Sequence, residues 1–125
     1  MRKATWSVTS DPARKLLHMT IAGFFTPDDV AGFQSAVASE IGRLRPFLRG
    51  EAHVTLCDTR GVQIQSQEAV AAFADMLAHP AARSRRLAYV VDATLARMQI
   101  KRLTARDDAA YFPDAAAAEA WLFQA

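Results

Sequence analysis

Polar and apolar residues alternate singly over Thr5-Trp6-Ser7-Val8-Thr9, the period of a half-buried strand. Ser10-Asp11-Pro12-Ala13 follows, where the aspartate bonds its own backbone and the proline presets φ for a reversal. The alternation resumes over about 15–24, with Leu17, Met19 and Ile21 on one face and Leu16, His18, Thr20 and Ala22 on the other. Two such runs around a tight turn predict an antiparallel hairpin. The period then changes. Thr26-Pro27-Asp28-Asp29 joins a capping hydroxyl, a proline suited to the first helical turn and two acids at the positive end of the helix dipole. Val30, Phe33, Val37, Ile41 and Leu44 recur three and four apart behind it, one apolar stripe ended near Pro46.

Residues 52–58 predict a third strand, central because it is mostly apolar, and Ser66 caps a second helix carrying Val70, Phe73 and Leu77, stopped at His79-Pro80. A fourth strand covers 86–92, buried over Leu87–Val91, and a third helix covers about 94–104. A short fifth strand closes at Tyr111-Phe112, and Asp114 caps a last helix ending Ala120-Trp121-Leu122. After the hairpin, strands and helices take turns, which implies right-handed crossovers. The expected fold is α/β: one mixed, mainly parallel five-stranded sheet with four helices, a single domain over residues 1–125.

Composition narrows this further. With 125 residues, 51% of them hydrophobic, the chain has enough apolar surface for one core and no room for a second ordinary domain. No apolar run approaches the roughly 20 residues of a membrane-spanning helix, and Met-Arg-Lys is no hydrophobic signal segment. The lone Cys57 cannot form an internal disulfide and suits a reducing compartment, so the expected location is cytoplasmic. The five glycines lack phosphate-cradle spacing, and no serine, histidine and aspartate stand at nucleophile-elbow spacing. His18 and His53 match no metal motif, and a mid-sheet Cys57 reads as an inert thiol. Neither a metal nor a cofactor is expected, nor an enzyme.

Several segments, in this order and spacing, resemble the SpoIIAA-like branch of the STAS domains, small bacterial proteins also labelled STAS/SEC14-domain proteins. They are Ile21-Ala22-Gly23 before the Thr26 cap, Asp58-Thr59-Arg60-Gly61-Val62, Arg86-Leu87-Ala88-Tyr89-Val90-Val91, Ala96-Arg97-Met98, and Phe112-x-Asp114 with Ala120-Trp121-Leu122. The resemblance implies the α/β fold above and a regulatory, partner-binding role. Anti-anti-sigma members carry an Asp-Ser-Ser-Gly-like turn at the start of the second helix. Here that turn aligns with Ser66-Gln67-Glu68-Ala69, so the acid, the phospho-accepting serine and the glycine are displaced or absent. The SEC14 half of the label implies an apolar ligand or lipid.

In an open α/β sheet, ligands gather beyond the carboxyl ends of the strands. Thr26, Asp58, Thr59, Arg60, Ser66, Asp92 and Thr94 are expected there, with aromatic walls from Phe24, Phe25 and Phe112. Capping alone accounts for Thr26, Ser66, Asp92 and Asp114. Charge singles out another surface. The net charge is only +2, but residues 83–106 hold seven basic residues against Asp92 alone, a local excess of +6, which leaves −4 elsewhere. Arg97, Lys101 and Arg102 fall together on the third helix. They suit an acidic protein partner or anionic head groups, and the absence of interleaved aromatics argues against nucleic acid. The leading expectation is a regulatory interaction module that binds a partner through the loop edge and the basic third helix. The alternative is a small apolar-ligand or lipid-binding protein, with Phe24, Phe25, Phe33, Phe47 and Phe112 available to line a cavity. Trp6 on an edge strand and Trp121 near the end of the chain suggest a homodimer.

Overall fold

The computed structural model of the chain describes residues 2–79, 83–92, 94–103 and 108–124, with the backbone alone at 94–96 and 103. Pro80, Ala93 and Arg106 therefore lie outside the described residues, as does the side chain of Thr94. One sheet holds β1 (Thr5–Asp11), β2 (Leu16–Gly23), β3 (Val54–Val62), β4 (Leu87–Val90) and β5 (Ala109–Phe112), side by side in chain order. β1 is antiparallel to β2, and every later pair is parallel. The crossovers are α1 (Pro27–Leu48), α2 (Gln67–Ala78) and α3 (Thr94–Leu103), and α4 (Ala115–Leu122) follows β5. The order steps the same way at each crossover, so crossovers of one hand lay all three helices on one face. α4 turns back onto the other.

The sheet separates two cores. Leu17, Met19, Ile21, Cys57, Leu87 and Tyr89 meet Val30, Phe33, Val37 and Ile41 of α1 and Phe73 and Met76 of α2. Trp6, Phe25, Phe33 and Phe73 mesh within it at ring-centroid distances from 5.3 Å to 6.5 Å, mostly edge-to-face. On the opposite face, Leu16, Val54, Leu56, Ala88 and Val90 pack under Ala118 and Leu122 of α4. That helix covers β3, β4 and β5. Beyond it the same face is open and polar, with Thr5, Ser7, Thr9, His18 and Thr20 exposed.

The expected fold is the observed one, with four local differences. α1 passes through Pro46 and ends at Leu48. Proline removes the bond its N–H would make to the Gly42 carbonyl, but both residues face water, which can serve that carbonyl. Leu48 extends the apolar stripe and is buried, which holds the last turn in place until Arg49 and Gly50, with φ of 52° and 81°, end it. β3 runs to Val62 rather than 58, because β2 remains beside it as far as Gly23. Two residues of β3, Thr59 and Arg60, lie opposite the single Ile21, a bulge. Just beyond it a Cβ on Gly61 would come 2.8 Å from the Cβ of Ala22, so the strands meet there only because residue 61 has no side chain. α2 buries Ala69, Phe73 and Met76, leaving Val70 and Leu77 half-buried; the fully buried Ala69 lets the helix lie close to the sheet. The fourth strand is shorter than 86–92, although Val91 is buried as expected.

Candidate functional site

Three of the expected edge residues serve helix ends. Thr26 Oγ1 accepts from Asp29 N at 3.1 Å while Asp29 Oδ2 accepts from Thr26 N at 2.9 Å, a closed capping box. Ser66 Oγ accepts from Ala69 N at 3.1 Å, and Asp114 Oδ1 accepts from Ala117 N at 2.8 Å. Gly23 closes β2 with φ +86°, and a Cβ there would collide with the Lys3 carbonyl oxygen. Of the aromatic walls, Phe25 is fully buried in the core, while Phe24 and Phe112 are half-buried.

Asp58, Thr59 and Arg60 lie within β3, not in a loop beyond it, so their side chains part by alternation. Thr59 points into the larger core, buried, and donates to the Val90 carbonyl at 2.8 Å. Asp58 and Arg60 lie on the other face. Arg60 grips Asp58 through Nε to Oδ1 at 3.1 Å and Nη2 to Oδ2 at 2.7 Å, and its own N–H donates to Oδ1 at 3.1 Å. This grip holds the Asp58 carboxyl below the usual carboxylate range against the opposing effect of burial, and nearby His18 adds to it. Asp58 in turn raises Arg60, with smaller contributions from Asp92 and Asp114. The pair is therefore part of a mixed-charge cluster on the open side of the sheet.

The cationic residues belong to the other layer. Arg97, Lys101 and Arg102 are exposed on α3, as is Met98. Lys101 Nζ stands 5.4 Å from the ring centroid of Tyr111, which stacks on Tyr89. A groove of about 380 Å³ between α2 and α3 is lined by Gln67, Val70, Ala71, Gln99 and Arg102. The expected site residues thus divide into two groups on opposite sides of the sheet, with Thr59 buried between them. The basic excess of 83–106 divides as well. Arg86 turns to the end of α4, donating to the carbonyls of Trp121 at 2.6 Å and Gln124 at 3.0 Å and stacking 5.3 Å from the Trp121 ring.

Two residues absent from the sequence reading organise the edge. Gln65 Oε1 accepts from Phe25 N at 2.8 Å, and its Nε2 donates to the carbonyls of Gly23 and Gln63. Gln99 on α3 clasps the backbone of Gln65, accepting from its N–H at 2.9 Å and donating to its carbonyl at 3.2 Å. The loop before α2 is thereby tied to both β2 and α3, and Ile64 beside it is about half exposed. Glutamines at alternate positions 63 and 65 mark a strand end with polar side chains, but no spacing in the sequence points to a partner 34 residues away.

Beneath α2 and α3 lies a partly open apolar cavity of about 50 Å³, lined by Met19, Cys57, Phe73, Met76, Tyr89 and Ile100 among others. Burial pushes the Cys57 thiol up to about 12, with the Asp58 charge adding to it. Among the described residues no three His, Cys, Asp or Glu side chains come together as a metal site, and no helix is long and apolar enough to cross a membrane.

No protein-family model matches the sequence, and no curated protein matches it. The likeness is in structure: this is an α/β protein of SpoIIAA-like fold. It is similar to an uncharacterised protein from Shewanella loihica described as having that fold, with TM-score 0.68 and 18% identity over 95% of this chain and 93% of the other. It is also similar to an anti-sigma factor antagonist from Mycobacterium paratuberculosis, with TM-score 0.65 and 10% identity over 96% of this chain and 94% of that one. At such identities the likeness is one of fold.

Proposed function

We propose that this protein is a regulatory interaction module, not an enzyme, and that it docks an acidic protein partner on α3 and the adjoining loop before α2. The observation that carries the reading is the exposed side-chain set of α3. Arg97, Lys101 and Arg102 stand in water beside the exposed Met98, with exposed Ile64 on the loop that Gln65 and Gln99 fix to the same helix. Cations supply steering and partner choice, and an exposed apolar side chain supplies contact area that water does not favour. The fold shared with an anti-sigma factor antagonist supports a regulatory role. The candidate nucleophiles favour a binding role over catalysis, since Cys57 is a buried thiol with a raised pKa and the Thr59 and Ser66 hydroxyls are held in structural hydrogen bonds. Asp58, Arg60 and Asp92, on the far side of the sheet, would make a second contact only with a partner that wraps the strand ends. Affinity capture from host lysate tests the reading. The wild type should retain a specific protein, released by salt and lost with an Arg97/Lys101/Arg102→Ala variant of unchanged circular dichroism. Identical captures from the two proteins would reject it.

The apolar cavity supports a second reading, a carrier of a small apolar ligand. Size decides its rank. About 50 Å³ holds a few water-sized groups, whereas pockets for larger ligands span roughly 300–1,000 Å³. A lipid chain would require α3 to move away from the sheet. Native mass spectrometry of the purified protein, before and after incubation with vesicles, should show bound ligand under this reading and bare protein under the first.

A further inference from the structure

We propose that β1 is a self-pairing edge, through which two copies of this chain join antiparallel about a two-fold axis at Ser7 to form one continuous sheet. Among the described residues β1 pairs with β2 alone, so its outer row of backbone groups faces solvent. Natural sheets guard such an edge with lysine, proline, a bulge or a very short strand. β1 has none of these: it runs seven residues, and Thr5 to Ser10 carry no charge, no proline and no glycine. Threonine, tryptophan and valine favour the extended state. The other edge, β5, has only four residues.

The side chains are complementary about that axis. With Ser7 opposite itself, Trp6 falls opposite Val8 of the second copy and Thr5 opposite Thr9. Directly opposed residues of an antiparallel pair share a face. Trp6 and Val8, both half-buried on the helix side, would complete each other's cover as an aromatic–β-branched pair. The hydroxyls of Thr5, Ser7 and Thr9 would meet on the open face. The helix above leaves room. Gly32, where a Cβ would stand 3.0 Å from the Trp6 ring, and Glu40, which accepts from Ser10 Oγ at 2.9 Å, mark the flank of α1 that faces this edge. Between them lies Ala36, so the flank is small for most of its length.

Sedimentation and single-cysteine cross-linking test the pairing. The wild type should sediment as a dimer at micromolar concentration. Ser7→Cys should form an intermolecular disulfide under mild oxidation, because the axis brings the two thiols together and buried Cys57 does not compete. Thr9→Cys should not cross-link, since Thr9 lies opposite Thr5. Ser7→Lys, which sets two cations against each other, should sediment as a folded monomer. A wild-type monomer overturns the proposal, as does a dimer in which Ser7→Cys fails to cross-link or Thr9→Cys links equally well. Should Ser7→Lys fail to fold, the two cysteine variants still decide the matter.

Discussion

His53 stands just ahead of β3, a residue only 3% exposed whose Nε2 has no hydrogen-bond partner among the described residues. Burial lowers its pKa, so the folded chain keeps it neutral at a pH where the unfolded chain has taken up a proton. The unfolded state then binds more protons, and stability must fall as pH drops through about 6.5 and below, by at most about 1.4 kcal/mol per pH unit from this one group. Asp58 acts in a separate window. Its lowered pKa adds stability that is present above about pH 4 and lost as the pH falls through the folded value. Denaturant titrations between about pH 7.5 and 5 should therefore show a falling midpoint in the wild type and a shallower fall in His53→Leu. Equal slopes would remove His53 as the cause. Cys57 gives a second expectation at this scale: alkylation at mildly alkaline pH should be negligible in the native protein and rapid in denaturant. A native rate matching the denatured one would contradict its burial. The inert thiol was legible in the sequence from its place in a central strand. The burial of His53 was not, because alternation assigns a face to a residue without saying how far the covering helices reach.

The helix starts were the most legible elements, since a cap is a local device. Thr26, Ser66 and Asp114 each accept the backbone N–H three residues on, as their types and positions implied. Thr26→Ala should accordingly cost about 1 kcal/mol in denaturant unfolding, with Thr26→Ser close to wild type. Ends that depend on a neighbour were less legible. Pro46 reads locally as a stop, yet buried Leu48 carries α1 past it, and β3 outruns its expected end because β2 continues beside it. Arg86 is a further case. In the sequence it belongs to a basic run, but in the fold it binds the carbonyl of Trp121 in the last turn of α4 and that of Gln124 just beyond it, and covers the Trp121 ring. Hydrogen bonds to a charged group contribute about 1.5–3 kcal/mol, so Arg86→Ala should lower stability by about that much. Arg86→Lys should recover only part of the loss, because an ammonium can serve the two carbonyls but cannot lie flat on the indole as the planar guanidinium does. Full recovery by lysine would mean that charge alone holds α4.

At the scale of the molecule, the sheet has one face under three helices and the other under one. The alternation of strands and helices made the five-stranded α/β plan legible, together with the apolar faces of β2 and β4. It left open the strand order, and with it the sides on which Asp58, Arg60 and the α3 cations lie, because sidedness depends on the direction of each crossover and on a one-residue bulge. That asymmetry makes the eight-residue α4, among the described residues, the one helix over the smaller core, where Leu16, Val54, Leu56, Ala88 and Val90 lie under Ala118 and Leu122. A buried leucine or valine is worth about 1.5–3 kcal/mol. Exposing several together approaches the whole stability of a domain, about 5–15 kcal/mol. A chain ending at Pro113 should thus keep much of its helical circular dichroism, since α1, α2 and α3 precede the cut, but lose its fixed packing. It should bind a hydrophobic dye strongly and unfold without a sharp transition, the behaviour of a compact state with an exposed core. If the truncated chain instead unfolds cooperatively with a near-native midpoint, the larger core alone sustains the fold, and α4 is an accessory to the sheet rather than its second wall.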